Sequence, residues 1–364
     1  MKSRSPRIRR GSILAAAVLV LASLVLAACG DDSDSAESSD SSTTAPKSEA
    51  TAPTVRLGYF PNITHGPALI GVAEGTFTKA LGSTTLETKT FNAGPEASEA
   101  LLSGAIDITY IGPNPAINAY AKSDGEAIRI VGGSTSGGAY FVTKPEITKA
   151  EDLKGKTVAT PSLGNTQDVA LRTWLKNEGL NTDTSGGGDV SIKPQENADT
   201  LNAFKQGQIA GAWVPEPWAT RLIQEGGGKV LVDEADEWED GKYVTTHLIV
   251  RTDFLDKYPG TVKAILQGNL DAIKAIQADP DKTQKEANAE IVRITQKPLP
   301  EAVIAAAWKN LTFTPDPIAS SLEISAKNAE DVDLLDPVDL KGIYSLDLLN
   351  SLLKADGQEE VKGL

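Results

Sequence analysis

The hexapeptide WVPEPW, residues 213–218, places two large aromatic side chains and a carboxylate on one rigid segment. Its two prolines exclude a helix interior and remove two backbone donors. We predict that Trp213 ends a strand and that Glu216 and Trp218 begin the following helix. Two interpretations stay open: either the tryptophans fill a core, or they form a wall of a binding site. In the second, Glu216 accepts a hydrogen bond from an amine or hydroxyl of a solute.

Residue types that supply acid–base or nucleophilic catalysis are scarce. The sequence holds one cysteine and two histidines, His65 and His247. It has no nucleophile elbow, no phosphate-binding glycine loop and no His/Cys metal spacing. His65 with Glu216 or Asp168 is the acid–base pair that remains conceivable in a cleft. We therefore predict a binding protein with no catalytic residue, cofactor or metal, and keep an enzyme as the alternative.

Five predicted loops rich in Gly, Pro, Asn, Ser and Thr lie near strand ends, and all five segments lack Lys and Arg. They are FPNITHGP (60–67), YIGPNPA (110–116), STSGGAY (134–140), PSLGNTQD (161–168) and WVPEPW (213–218). Four precede predicted helices, whose free N–H groups and dipoles favour an anionic atom. Glycines permit close backbone approach, and hydroxyls and amides add neutral donors. Together these segments can hold a weakly basic oxyanion without a cationic side chain, although each alone is also ordinary helix capping.

The elements that must position these segments alternate strand and helix in two runs. The first run covers about residues 54–133 and the second about 151–234, and the segments 139–144 and 246–252 connect them. This order favours mostly parallel sheets with helices on their faces. Two chain crossings between two α/β lobes predict a hinged pair with a cleft. Ligands of such sheets bind outside the carboxyl ends of the strands, where the five segments fall.

The N-terminal 28 residues have the layout of a secretory signal peptide. Basic residues precede an apolar run that ends in Leu-Ala-Ala-Cys, and this tetrapeptide resembles the lipoprotein box in which the cysteine carries lipid. Residues 30–53 lack large apolar side chains, which predicts a disordered tether. We therefore expect an extracytoplasmic body that is anchored to the cell membrane through a lipid on Cys29.

Charge and cysteine content exclude several partners. The signal peptide contains five of the 35 basic residues and none of the 49 acidic ones, so the remainder has a formal charge of −19. This excess argues against nucleic acid and anionic lipid surfaces as partners. A single cysteine excludes a disulfide within the chain. The body of roughly 310 residues is long enough for two lobes or one large domain.

Four stretches, in this order and spacing, resemble the nitrate-, sulfonate- and taurine-binding (NMT1-like) family of periplasmic-type proteins that feed ABC importers. They are GYFPNITHGPALIGVAEGTF, ALLSGAIDITYIGPNPAINAY, DLKGKTVATPSLGNTQDVALR and AFKQGQIAGAWVPEPWA. The resemblance implies a two-lobed α/β fold of the periplasmic-binding-protein type II (Venus flytrap) class, with a hinge between the lobes. Residues 54–138 would form the first part of lobe 1, residues 139–245 lobe 2, and residues 246–364 the second part of lobe 1 with C-terminal helices.

The resemblance also implies a set of ligand contacts. They are Asn62, Thr64, His65, Gly112, Pro113 and Asn114 in the first lobe, Gly164, Asn165, Thr166 and Gln167 in the second, and Trp213, Glu216 and Thr246 near the crossings. The implied protein is a monomer that closes its lobes on a small sulfonate, taurine or nitrate and delivers this anionic or zwitterionic solute to ABC permease subunits. A receptor for a neutral heterocycle, such as a pyrimidine thiamin precursor stacked on Trp213 or Trp218, is the alternative, and an enzyme on the same fold is a further one.

Overall fold

A computed structural model describes residues 49–364, which contain eleven β-strands and thirteen α-helices. The signal peptide, Cys29 and most of the predicted tether lie outside the described residues. The strands are β1 Thr54–Tyr59, β2 Thr85–Thr90, β3 Ile108–Ile111, β4 Ile128–Gly137, β5 Ala139–Thr143, β6 Thr157–Thr160, β7 Ser191–Pro194, β8 Gly211–Pro215, β9 Lys229–Asp233, β10 Val244–Arg251 and β11 Leu311–Phe313. The helices are α1 Gly66–Ala73, α2 Thr76–Leu81, α3 Gly94–Leu102, α4 Pro113–Lys122, α5 Thr166–Asn177, α6 Asn197–Lys205, α7 Trp218–Gln224, α8 Thr252–Lys257, α9 Pro259–Ala278, α10 Pro280–Thr295, α11 Glu301–Trp308, α12 Ala319–Asp331 and α13 Asp347–Ala355.

The strands form two separate sheets. The first has the order β11-β4-β10-β3-β1-β2 and the second the order β7-β6-β8-β5-β9. Strand β1 runs parallel to β2 and β3, and β6 runs parallel to β7 and β8. Strand β10 is antiparallel to its neighbours in the first sheet, and β5 to its neighbours in the second. We name the parts of the chain that carry these sheets the first lobe and the second lobe.

Each sheet is covered by apolar residues on both faces. In β10, Leu248 and Val250 pack into one cluster and Ile249 into another. In β5 of the second sheet, Phe141 packs into one apolar cluster and Val142 packs into another. This alternation follows from the two-residue period of a strand. Helices α9 to α11 and α13 contribute to the first of these clusters, so the helix-rich C-terminal region belongs to the first lobe.

The chain passes between the lobes at two places. Strand β4 ends at Gly137 and β5 begins at Ala139, and both Gly137 and Gly138 have positive φ, which glycine adopts without strain. The second passage leads from β9 to β10. The two-lobed α/β fold with a hinge that the sequence indicates is therefore confirmed.

One of the five predicted loops was wrong. The segment 134–140 is not a loop, because β4 pairs with β10 and β11 as far as Gly137. A 3₁₀ turn at Ile63–His65 precedes α1, and Gly75, whose φ is +72°, separates α1 from α2. The connecting segment 246–252 lies in β10, which ends at Arg251, and α8 follows directly. Within residues 49–364, the helices are all too short or too polar to cross a membrane.

Candidate functional site

A small cavity of about 30 Å³ lies between the lobes at the carboxyl ends of the parallel strands. It is lined by Phe60, Asn62, Thr64, His65, Asn92, Ala93, Gly94, Gly112, Pro115, Pro161, Asn165, Thr166, Gln167, Asn197, Pro215, Thr245 and Thr246. No Lys, Arg, Asp or Glu side chain stands in this lining. We call this space the oxyanion cavity, because four helix N-termini converge on it.

Four helices begin at the oxyanion cavity. The first residues of α3, α5 and α6 line it, and so does Gly112, the N-cap of α4. The first N–H groups of a helix have no partner within the helix, and the helix dipole places partial positive charge there. Two of these helices belong to each lobe. The cavity thus combines a positive potential with an uncharged set of side chains, which suits an anionic group.

His65 reaches the cavity as a neutral donor. Its ring is buried and stacks on Phe60 with 4.3 Å between ring centroids. Its Nδ1 accepts from the backbone N–H of Phe60 at 3.3 Å. Burial lowers the pKa of His65 to about 3, so the ring is neutral at physiological pH and carries its proton on Nε2. The imidazole therefore presents an N–H group without a positive charge.

The start of α5 is held by a buried polar network. Asn165 caps the helix, because its Oδ1 accepts from the backbone N–H of Asp168 at 3.0 Å, and its Nδ2 donates to Oε1 of Gln167 at 3.0 Å. Asp168 in turn accepts from Thr160 and forms a buried ion pair with Arg172, with 3.0 Å between Oδ2 and Nε. Asp168 thus positions the helix terminus through its neighbours.

Direct contacts between the lobes close the cavity. The indole Nε1 of Trp218 donates to Oδ1 of Asn62 at 2.9 Å. Nearer the surface, Nδ2 of Asn92 donates to Glu196 at 3.0 Å. Gly112 meets α5 so closely that an added Cβ would lie 2.4 Å from Oγ1 of Thr166. The described arrangement is therefore one in which the two lobes touch around the cavity.

Eight of the thirteen residues predicted as ligand contacts line this one cavity, and five do not. The eight are Asn62, Thr64, His65, Gly112, Asn165, Thr166, Gln167 and Thr246, and the five are Pro113, Asn114, Gly164, Trp213 and Glu216. Asn114 lies in the first turn of α4, whose N-cap is Gly112, and its Nδ2 donates to the backbone carbonyl of Ser325 at 2.9 Å. The backbone N–H of Gly164 donates to Asp168.

Trp213 lies in the core of the second lobe. It is fully buried, stacks on Phe141 with 5.6 Å between ring centroids, and lies at 6.4 Å from Trp174. Its Nε1 donates to Oε2 of Glu234 at 2.6 Å. Phe141 and Trp213 are paired in the β5–β8 ladder, so their side chains lie on the same face of the sheet. Both side chains therefore pack into this core.

Glu216 connects the lobes without touching the cavity. Its carboxylate accepts from the backbone N–H and the hydroxyl of Thr220, at 3.0 and 2.8 Å, and from Nδ2 of Asn310 at 2.7 Å. Burial raises the pKa of Glu216, and these three donors oppose that rise. The carboxylate is already satisfied, so it neither pairs with His65 nor offers a free oxygen to a solute.

Asn92 and Asn197 line the cavity although the sequence reasoning missed them. Both follow parallel strands, β2 and β7, so the rule that ligands bind at strand carboxyl ends would have found them. Beside the cavity lies a wider groove of about 250 Å³, which shares Asn62, Asn92 and Asn197 with it. The other residues that line the groove are Pro61, Glu196, Ala198, Leu201, Asn202, Pro217, Trp218, Arg221, Ile291, Thr295, Lys297, Pro298 and Leu299.

Two α/β lobes that meet around a cavity at their strand ends define the fold of the periplasmic solute-binding proteins. The alkanesulfonate-binding protein SsuA from Xanthomonas axonopodis pv. citri, solved with MOPS, superposes with a TM-score of 0.66 at 18% identity, over 79% of this chain and 96% of that one. The nitrate-binding protein NrtA from Synechocystis PCC 6803 superposes with a TM-score of 0.68 at 17% identity, over 84% and 89%.

The chain belongs to the NMT1-like family, whose sequence profile matches residues 48–293. The taurine-binding periplasmic protein of Escherichia coli K12 is 30% identical over 220 residues, which are 60% of this chain and 66% of that protein. The chain thus matches slightly less than two thirds of that relative's length. Within residues 49–364, there is no group of three or more His, Cys, Asp or Glu side chains placed to hold a metal ion.

Proposed function

We propose that this protein is the extracytoplasmic solute-binding component of an ABC importer and that it captures a small sulfonate or a related oxyanion between its lobes. The observation that carries the proposal is the oxyanion cavity, an uncharged lining onto which four helix N-termini converge. The relatives named for taurine, alkanesulfonate and nitrate binding support the same solute class.

Neutral donors suit a sulfonate on chemical grounds. A sulfonate is a weak base that stays ionised over the physiological range, so its oxygens need several donors and no proton transfer. The cavity offers the first N–H groups of α5, the Nε2–H of His65, and the hydroxyls of Thr64 and Thr246. Hydrogen bonds to an ionised group are roughly twice as strong as neutral ones, so a few such donors hold the anion well.

The wider groove provides space for the rest of the solute. It opens from the cavity past Asn62 and is partly apolar, with Trp218 and Leu299 on its walls. Glu196 stands at the same groove, so the ammonium group of a taurine-like zwitterion would face Glu196 there. This replaces Glu216, which its three donors occupy, as the proposed partner of an amine.

Closure of the lobes forms part of the proposal. Residues 54–138 and 246–364 would move as one lobe and residues 139–245 as the other, and the bond between Trp218 and Asn62 would form only when they meet. A solute that contacts both lobes favours the closed state, which the permease subunits then recognise. A lipid on Cys29 would keep this monomeric receptor at the cell membrane.

An enzymatic role has little support in this geometry. His65 is neutral, and its Nδ1 is bonded to the backbone of Phe60. The carboxylates of Asp168 and Glu216 are occupied by other donors. A receptor role needs none of these groups to transfer a proton.

The test is a thermal-shift and calorimetric screen of the mature chain with Cys29→Ser. The panel contains methanesulfonate, ethanesulfonate, taurine, nitrate, sulfate and a pyrimidine thiamin precursor. A solute at 100 times its Kd adds about 2.7 kcal/mol to stability and raises the Tm. We expect shifts with sulfonates. A shift with the pyrimidine alone would overturn the oxyanion proposal, and loss of the sulfonate by turnover, followed by NMR, would overturn the receptor proposal.

A matched pair of variants locates the site. Thr64→Val removes a hydroxyl from the cavity while keeping the side-chain shape. Thr88→Val makes the same change on the exposed face of β2. We expect weaker sulfonate binding only in Thr64→Val, by about 1 kcal/mol or roughly fivefold in Kd.

A further inference from the structure

A second cavity, of about 130 Å³, lies between the lobes on the far side of α5. Its lining includes Trp174, Trp213 and Trp238, three of the five tryptophans of the chain. It also includes two carboxylates, Glu234 and Glu237, and no lysine or arginine. This cavity therefore has acidic side chains and three indoles in its lining, whereas the lining of the oxyanion cavity has no acidic side chain and no tryptophan.

Glu234 has an unsatisfied oxygen in this cavity. The residue is only 1% exposed. Its Oε2 accepts from Nε1 of Trp213 at 2.6 Å. The indole N–H of Trp238 lies near enough to the carboxylate to oppose the rise in its pKa, but Oε1 has no hydrogen bond of good geometry among residues 49–364. A buried carboxylate oxygen without a donor is unfavourable, and native proteins rarely leave one without a reason. When Glu234 is ionised, this oxygen is therefore available to a positively charged or donor group from outside the chain.

The surroundings indicate which cation fits. Indole rings are poor metal ligands, and no metal-ligating cluster occurs among the described residues. A volume of about 130 Å³ is also far larger than a bare metal ion needs. Phe141 stacks on one face of Trp213 and Tyr243 on one face of Trp238, so an organic cation would meet the remaining indole surface. Aromatic surroundings with a carboxylate are a recurrent way to bind alkylated ammonium groups. The exposed Glu237 adds a second negative charge at the rim.

We propose that the cavity of Trp174, Trp213, Trp238 and Glu234 is a binding site for a small organic monocation, an alkyl- or quaternary ammonium group. The ammonium charge neutralises Glu234, and its carbon substituents pack on the indoles. The site is separate from the oxyanion cavity, although Thr166 lines both.

The walls of this ammonium cavity come from both lobes. Helix α5, Trp213 and Glu234 belong to the second lobe, whereas Asn114, Ile324 and Ser325 belong to the first. A cation that touches both walls stabilises the arrangement in which the lobes meet. Occupation of the site would therefore strengthen solute capture in the oxyanion cavity, and by linkage the solute would strengthen cation binding equally.

The probes are choline chloride and tetramethylammonium chloride, compared with NaCl at the same ionic strength and pH 8. The mature chain is followed by Tm and by tryptophan fluorescence. We expect a saturable response to both ammonium salts and none to NaCl. In Glu234→Gln the apparent Kd rises at least tenfold, whereas Glu359→Gln, the same change at an exposed C-terminal position, leaves it unaltered. No saturable response in the wild type up to 100 mM, or an unchanged Kd in Glu234→Gln, would overturn the proposal.

A second variant tests the same site in case Glu234→Gln does not fold. Trp238→Leu keeps an apolar side chain at a partly exposed position and removes the indole face. We expect a weaker ammonium response by about fivefold, with the sulfonate response retained. An unchanged ammonium Kd would contradict the proposed site. The two proposals also fail separately: a chain that binds choline but no sulfonate refutes the oxyanion function alone.

Discussion

The indole N–H of Trp218 donates to Oδ1 of Asn62 at 2.9 Å, from the second lobe to the first. Trp213, five residues earlier, points into the core of its own lobe. The core interpretation of the WVPEPW segment therefore holds for Trp213, and the binding-wall interpretation stays a prediction for Trp218. The strand period directs Trp213 inward, and the start of α7 leaves Trp218 at the cleft, where Arg221 covers its ring at 4.7 Å.

The bond between Trp218 and Asn62 should stabilise the closed state. Trp218→Phe keeps an aromatic ring and removes the donor, which is worth about 1 kcal/mol. We expect sulfonate affinity to fall roughly fivefold, mainly through faster dissociation. Stopped-flow measurement of both rate constants checks this, and an unchanged dissociation rate would show that the bond plays no part in retention. Trp238→Phe, at the ammonium cavity, provides the matched aromatic control.

Asn62→Asp tests the charge of the solute. The new carboxylate still accepts from Trp218, but it places a negative charge at a cavity that contains none. An anionic solute would then lose roughly 100-fold in affinity through repulsion at short range. Isothermal titration with ethanesulfonate and with the pyrimidine precursor measures the difference. If ethanesulfonate binds as well as before, its sulfonate does not occupy this cavity.

The fold could be predicted largely because its signals are local. Alternation of strand and helix, with Pro and Gly at helix ends, identifies two α/β lobes without knowledge of which strands pair. The error at residues 134–140 has a non-local cause. The sequence SerThrSerGly looks like a loop, yet β4 continues through it because β10 and β11 lie alongside.

The site could be predicted less well, because side-chain direction depends on register and on the partner lobe. Segment composition was enough to find His65 and the start of α5, which both reach the cavity. It was not enough to see that Glu216 faces Asn310, which is 94 residues away in the chain. Strand ends without an unusual composition, such as the one before Asn92, were overlooked for the same reason.

Gly112→Ala should hinder closure without disturbing the fold. The backbone of Gly112 has φ −75° and ψ 163°, which alanine accepts, so the lobe itself should fold normally. The added Cβ would however lie 2.4 Å from Oγ1 of Thr166 across the cleft. We expect sulfonate affinity to fall by about tenfold or more as the closed population shrinks.

The double variant Gly112→Ala/Thr166→Ala provides the control for this clash. It removes the Oγ1 that the new methyl group would meet, so part of the affinity lost in Gly112→Ala should return. Small-angle X-ray scattering with and without solute follows compaction in each variant. If Gly112→Ala compacts and binds like the wild type, lobe contact at this point does not limit capture.

Sulfonate binding should not vary with pH between 5.5 and 8. Burial holds the pKa of His65 near 3, well below its usual 6.5, so the ring stays neutral throughout this range. His247 is buried as well, with a pKa of about 3, and contributes no charge either. A histidine with an ordinary pKa would gain charge as the pH fell and would tighten anion binding. Calorimetry at several pH values should therefore give one Kd within about twofold, and a tenfold gain at pH 5.5 would contradict a neutral His65.

Glu234 should give the stability of the protein a distinct pH dependence. Burial raises its pKa from 4.5 to about 7, so the folded state binds this proton more tightly than the unfolded state does. The contribution of Glu234 to the free energy of unfolding therefore falls as the pH rises from about 4.5 to 7, and it is constant above pH 7. The shift corresponds to about 3 kcal/mol over that range.

Glu234→Gln isolates this contribution. The two buried histidines act in the opposite direction, because their lowered pKa values make stability fall as the pH drops below 6.5, but wild type and variant share that effect. Denaturant unfolding at pH 5 and pH 8, without ammonium salts, should show the wild type losing about 2.5 kcal/mol relative to Glu234→Gln between the two values. Glu359→Gln should follow the wild type at both. If the curves of Glu234→Gln and the wild type run parallel, Glu234 is ionised in the folded protein at pH 5, and its carboxylate is better solvated than its burial indicates.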